Sequence, residues 1–168
     1  VDDLEAELLT EMKSSGLESI FIGIESFNQR QLDLYNKHIS PEDIHNLVKV
    51  LRKKEISAYF SFIMFDPFST LDEVANNVEQ LSHVQEFTDY RRLYSVVKPD
   101  FGTLIARNFE REGVLEDDGN FAYKIKIVNP ETKFLWEVIQ SHQARHSVVD
   151  IKLSKVKDER VDVALYET

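Results

Sequence analysis

The chain has 168 residues, 42% hydrophobic and 30% charged, the balance of a globular domain long enough to bury a real core. Its 20 Lys and Arg stand against 30 Asp and Glu, a formal charge of −10, so it repels phosphate backbones and nucleic acid is not expected as a partner. There is no cysteine, which excludes disulfides, Cys-ligated zinc, thiol catalysis and any iron–sulfur cluster held by this chain alone. No apolar run approaches the roughly 18 residues of a membrane span and no signal peptide opens the chain, so a cytoplasmic location without membrane contact is expected.

The chain opens at Val1, inside a helical pattern, and this start suggests a piece of a longer protein. Leu4, Leu8, Leu9 and Met12 form a helical stripe that Gly16 caps. Ile20-Phe21-Ile22-Gly23-Ile24 follows, short and β-branched, and predicts a strand buried on both faces. Ser26 with Gln29 three residues on predicts a capping box and a helix to about Tyr35. Ser40-Pro41-Glu42-Asp43 opens another helix, whose apolar face is Ile44, Leu47, Val48 and Leu51. Lys49, Arg52, Lys53 and Lys54 at its end complement the helix dipole.

Residues 56–65 predict a second buried strand that breaks at Asp66-Pro67, and Thr70 with Glu73 predicts a further capping box above the stripe Leu71, Val74, Ala75, Val78. Leu93 to Val97 reads as a third strand. Apolar strands alternating with helices imply parallel pairing. Beyond Gly102-Thr103 the style changes. A helix from Leu104 to Glu112 ends at Gly113, and Phe121, Tyr123, Ile125 and Ile127 alternate as a strand with one solvated face. Leu135, Val138, Ile139 and His142 mark another helix, and a tail hairpin is expected over Val149/Ile151/Leu153 and Val161/Val163/Leu165. The expected architecture is an α/β layer over 1–112 followed by an α+β extension over 113–168.

In parallel α/β structures ligands bind at the carboxyl ends of the strands. The first end carries Glu25 and Ser26, the second Met64, Phe65 and Asp66, and the third leads through Pro99 to Gly102-Thr103. Glu25 as a carboxylate accepts from a ribose diol or an ammonium, or pairs with a nearby Lys or Arg. Ser26 is equally explained as a helix cap, and Asp66 as a turn residue bonding locally. His142 and His146 are spaced for one metal, yet no third ligand completes that site. No nucleophile elbow, phosphate loop or zinc-protease signature is present.

Three segments together carry a resemblance. Gly23-Ile24-Glu25-Ser26 with Leu32 and Lys37 resembles the Gly-(Ile/Val)-(Glu/Gln)-Ser…Leu…Lys stretch of radical S-adenosylmethionine enzymes. Phe62 to Thr70, then Leu71-Asp72-Glu73, resembles the fifth strand of that barrel and its turn, where many members have Gly-Leu-Pro-Gly-(Glu/Gln)-Thr. This chain has Phe65 and Asp66 at the Gly and Leu, a variant associated with cobalamin-binding members. Pro99 to Thr103, then Glu112-Gly113 and Leu115, is similar to the Pro-x-x-Gly-Thr…Glu-Gly-x-Leu segment after the sixth strand. The resemblance spans about residues 1–115 and implies the second half of a TIM-like barrel.

The family's Cys-x3-Cys-x2-Cys cluster motif lies upstream of this segment, so a [4Fe-4S] cluster is implied only in the intact parent, and cobalamin in that parent too. By resemblance Glu25 and Ser26 would face the ribose or amino acid part of S-adenosylmethionine, while Ile63, Met64 and Asp66 on the fifth strand and its turn would lie against the adenine. The implied function is part of the cofactor and substrate site of an Fe–S oxidoreductase, inactive alone. The alternative is a cysteine-free α/β module that binds a nucleotide or a protein without catalysis. An unclosed barrel leaves strand edges unpaired, so the rest of the parent chain or a second copy is the expected partner.

Overall fold

The structure is a computed structural model and describes residues 3–84, 90–117 and 123–142. Two compact units divide the chain, Val1–Thr132 and Lys133–Thr168. Of the second, residues 133–142 are described and helical. The expected tail hairpin, Phe121 and His146 lie outside the described residues.

Helix α1 (Asp3–Ser14) stops where Gly16, at φ 104°, turns the chain. The Gly16 and Leu17 amides then donate to the carbonyls of Lys13 and Met12, so the last turn is satisfied. Of the apolar stripe of α1, Leu8 and Met12 stay exposed, at 55% and 37%, and Leu9 is half-buried. Strand β1 (Ser19–Glu25) pairs in parallel with β2 (Ser57–Phe62), setting Phe21 opposite Tyr59 and Gly23 opposite Ser61. One face of this pair is core: Ile24, Ala58, Phe60 and Phe62 are buried. The other is open, with Phe21 67% and Tyr59 60% exposed, so the expectation of strands buried on both faces fails here. Parallel sheets are ordinarily covered on both sides, and the described residues supply helices to only one.

Between the strands lie α2 (Gln29–Leu34) and α3 (Pro41–Lys53). The Ser40–Asp43 capping box forms as expected, each side chain serving the other's backbone amide. The Ser40 hydroxyl and amide hold the exposed Asp43 carboxyl below the usual carboxylate range. Ile44, Val48 and Leu51 are the buried face of α3, which packs on β2. Helix α4 (Leu71–Ser82) begins at the expected Thr70–Glu73 capping box, but its buried face is Val74, Asn77 and Leu81 rather than the expected stripe. Leu71, Ala75 and Val78 are exposed, because the face turned to the core is set by packing and carries the polar Asn77. Burying each large apolar side chain contributes roughly 1.5–3 kcal/mol.

The predicted third strand is not a strand. Tyr90–Tyr94 is a 3-10 turn, and only one parallel bridge, Phe65 to Val96, continues the sheet. Its cause is local: Ser95 closes that turn through its amide and hydroxyl onto the Arg92 carbonyl, so extended chain begins only afterwards. Phe65, at the family's glycine position, is 0% exposed, its ring buried in the core. Thr103 caps α5 (Leu104–Arg111), whose Phe109 packs with Val97 and Val114 and meets Phe68 edge to face at 5.9 Å. Gly113, at φ 67°, ends that helix, and β3 (Leu115–Asp117) pairs antiparallel with β4 (Tyr123–Ile125).

Two helix ends depart from glycine usage, with Asn36 after α2 at φ 55° and Glu55 after α3. Glu55 follows α3 at φ 54°, the left-handed position that Gly16 and Gly113 fill elsewhere. An L-residue there costs roughly 1–2 kcal/mol, partly recovered by its narrower unfolded ensemble. Glu55→Gly is therefore expected to stabilise the chain by about 0.5–1 kcal/mol, seen as a higher urea midpoint at unchanged slope. An unchanged or lower midpoint would show that the entropy Glu55 removes from the unfolded chain offsets its strain.

Candidate functional site

The three parallel positions end together, at Glu25, at Ile63–Asp66 and at Val97. At the first, β1 bulges between Gly23 and Glu25, and Glu25 stands at φ 63°. The Ser26 amide donates to the Ile24 carbonyl at 2.8 Å, closing a left-handed γ-turn about Glu25. Such a conformation costs of order 1–3 kcal/mol and persists only where its surroundings fix it. Those surroundings are visible. The Ile63 amide donates to the Glu25 carbonyl at 2.7 Å. The Ser61 hydroxyl donates to Oε2 at 3.0 Å, and the Lys37 ammonium pairs with Oε1 at 3.2 Å. The carboxylate is 16% exposed and keeps acceptor capacity beyond these two contacts.

Gly23 is required here for space. A Cβ on it would stand 2.5 Å from Glu25 Oε1, 3.1 Å from Lys37 Nζ and 3.3 Å from Ser61 Oγ. The carboxylate thus lies folded back over the glycine.

Ser26 sits one residue on but serves a different group. It does not cap α2, whose N-cap is Asn28, and the Asn28 side chain makes no capping bond. Its hydroxyl is buried, donates to Gln31 Oε1 at 2.6 Å and accepts from the Asn28 amide at 3.0 Å. Gln31 ties the strand ends together. Its Oε1 also accepts from Asn77 Nδ2 at 3.0 Å, and its Nε2 donates to Asp66 Oδ2 at 2.8 Å. Asp66, wholly buried, accepts further from Arg30 Nη2 at 2.8 Å, the Phe68 amide at 2.8 Å and the Ser69 hydroxyl at 3.1 Å. Arg30 also bonds Glu73. Burial opposes its charge, but the bonds to Glu73 and Asp66 outweigh that and raise its pKa.

The five residues singled out from sequence therefore separate. Glu25 and Ile63 are partly exposed side by side, whereas Ser26, Met64 and Asp66 are buried, and the oxygens of Ser26 and Asp66 are engaged by protein groups. Sequence reasoning missed Ser61, Arg30, Gln31 and Asn77. Asn77 had a signal, a polar residue at i+3 in the buried stripe Val74, Asn77, Leu81. Ser61 had none, because its pairing with Glu25 depends on the β1–β2 register. The Tyr35 hydroxyl is the single buried side-chain polar atom left unpartnered among the described residues. Burial first, and the nearby Asp66 charge second, raise its pKa and keep it a neutral donor. No group of three metal-ligating side chains occurs among the described residues, nor any helix long and apolar enough to cross a membrane.

No family model matches the chain. Over 79 residues it is 30% identical to an uncharacterized methyltransferase, PH0819, of Pyrococcus horikoshii, a match covering 47% of this chain and 17% of that protein. Solved structures of the cobalamin-dependent S-adenosylmethionine radical enzyme OxsB match it more broadly. The form with aqua-cobalamin has a TM-score of 0.65, and the form with aqua-cobalamin and S-adenosylmethionine 0.64. Both are 19% identical over 80% of this chain and 25% of theirs. The chain thus has the fold of part of a cobalamin-dependent S-adenosylmethionine radical enzyme, with parallel strands and no closed barrel among the described residues. It spans only a fraction of the length of each protein it matches.

Proposed function

We propose that this chain is a segment of a radical S-adenosylmethionine Fe–S enzyme and forms one wall of the cofactor and substrate site. The observation that carries the reading is the strained, partly exposed Glu25 at a strand end, in a fold shared with such an enzyme over 80% of the chain. The donor set fits S-adenosylmethionine. Glu25 offers a carboxylate to its hydroxyl or ammonium donors, and the half-buried Ile63 offers an apolar edge to an aromatic base. The set does not fit an iron–sulfur cluster, since the chain has no thiolate, and cobalamin is implied here only through the resemblance. Both groups belong, on this reading, to the rest of a parent chain. That parent, or a second copy, would also cover the open Phe21 and Tyr59 face.

S-Adenosylmethionine, bound in such a parent, supplies the radical chemistry. This chain's part is to bind and orient: Glu25 takes hydrogen bonds, and the buried Gln31–Asp66 network fixes the two turns on which Glu25 and Ile63 stand.

The test reads the coding sequence upstream of Val1 and expresses the joined protein. A Cys-x3-Cys-x2-Cys motif is expected there. In the joined, cluster-loaded protein Glu25→Ala is expected to weaken S-adenosylmethionine binding at least tenfold at equal cluster content. An upstream frame without the motif, or binding indifferent to Glu25→Ala, would overturn the proposal and favour a binding module without catalysis.

A further inference from the structure

Helix α2 ends in a way that delivers one side chain to the strand end. Asn36 takes the left-handed position at φ 55°, its amide donating to the Asp33 carbonyl at 3.0 Å. The Lys37 amide then closes onto the Leu32 carbonyl at 2.8 Å, completing the helix-ending motif. Leu32 is wholly buried, so this corner is anchored in the core. From it the Lys37 ammonium reaches back to β1 and makes two contacts. It donates to the Gly23 carbonyl at 3.0 Å and pairs with Glu25 Oε1 at 3.2 Å.

Those contacts straddle the bulge. Gly23 precedes it and Glu25 follows it, and Lys37 joins the backbone of the first to the side chain of the second. Ser61 holds only the far carboxylate oxygen, from the neighbouring strand. With Lys37 removed, Glu25 keeps the bonds at its carbonyl and at Oε2, but Oε1 loses its ion pair over Gly23, and Ser61 at Oε2 leaves the carboxylate free to turn about that one bond. We infer that Lys37 is a positioning residue, which locks Glu25 in its left-handed turn and so presents the carboxylate at the strand end in one fixed orientation. This deepens the reading of Glu25 as a ligand-facing group and rests on it for its functional consequence. The lock itself does not depend on that reading.

The lock predicts a local effect. Lys37 is one-third exposed, so Lys37→Met leaves the core packing intact. Hydrogen exchange of the full chain, read by NMR, is expected to show the Ser26 amide exchanging at least tenfold faster in Lys37→Met. The Leu51 and Leu81 amides should be unchanged, and Lys37→Arg should restore most of the protection. In a titration of the joined protein with adenosine, Lys37→Met should weaken binding about tenfold and Lys37→Arg should recover it, which a merely structural lysine would not produce. Unchanged Ser26 exchange in Lys37→Met overturns the lock, whatever the chain binds. Faster Ser26 exchange with no adenosine binding by the wild-type joined protein keeps the lock and overturns the ligand-facing reading. Should Lys37→Met unfold the chain, Glu25→Gln decides. It removes the ion pair while keeping an acceptor for Ser61, and an unchanged Ser26 amide there overturns the lock.

Discussion

Replacing Asp66 by alanine is expected to destabilise the chain by about 3–5 kcal/mol, chiefly the cost of leaving buried donors without their acceptor. The carboxylate is 0% exposed and gathers donors from four residues. Without it, the Ser69 hydroxyl and the Phe68 amide lose their acceptor and Gln31 Nε2 keeps only its longer bonds to the Met64 carbonyl and Ser69 Oγ, and each buried orphan costs about 1–3 kcal/mol. Arg30 is less affected, being 40% exposed and still bonded to Glu73. Asp66→Asn keeps the shape and one acceptor but turns an amide donor toward a cluster of donors, so about half of the loss is expected. Urea unfolding checks both: the midpoint should fall in the order wild type, Asp66→Asn, Asp66→Ala. A loss below about 1 kcal/mol for Asp66→Ala would mean that the network contributes little to folding.

Gly23→Ala is expected to do the opposite, sparing stability and removing the site. The added Cβ would meet Glu25 Oε1 at 2.5 Å, a distance real Cβ atoms do not show. Because that oxygen ends a flexible side chain, it swings away and the backbone stays, and alanine suits a strand better than glycine does. The stability change should therefore remain within about 1 kcal/mol. The displaced carboxylate leaves Lys37 and Ser61, and S-adenosylmethionine binding by the joined protein should fall at least tenfold. A crystal structure of the variant should show Glu25 rotated out of the bulge. Wild-type affinity in Gly23→Ala would mean that the folded-back carboxylate is not the ligand-facing form.

The two variants separate the two things the strand ends do. Asp66 belongs to a network wholly inside the protein, which joins the turn after β1 to the turn after β2 through Gln31 and Asn77. Fully satisfied networks of this kind strengthen with burial, and any missing member is felt by all. Glu25 lies at the rim of that network and takes no bond from it, so its displacement leaves the fold standing. The matches to OxsB concern the frame, whereas the Glu25, Lys37 and Ser61 arrangement is read from this chain's own contacts.

Local signals determined most of the elements. The Ser40 cap, the Thr70 capping box, the left-handed glycines 16 and 113 and the apolar stripe of α3 act locally and stand where the sequence puts them, whereas of the stripe expected on α4 only Val74 is buried. The three strand ends with their polar residues were legible for the same reason, and so was the likeness to radical S-adenosylmethionine enzymes. The tertiary structure alone decided which polar groups face a ligand and which face the protein. Ser26 reads as a cap by spacing, yet its hydroxyl is taken by Gln31, and Asn77 lies within reach from 51 residues away along the chain. Asp66 reads as a turn residue, and its charge is met by Arg30 from 36 residues away. Glu25 meets Ser61 only through the parallel register, and Lys37 only because Asn36 turns the chain at the end of α2. Hydrogen bonds of a few ångströms between residues distant in sequence follow from how the elements pack, and no local pattern encodes them. Sequence therefore placed Glu25 at the strand end, and packing left it, with Ile63, partly exposed while Ser26, Met64 and Asp66 were buried.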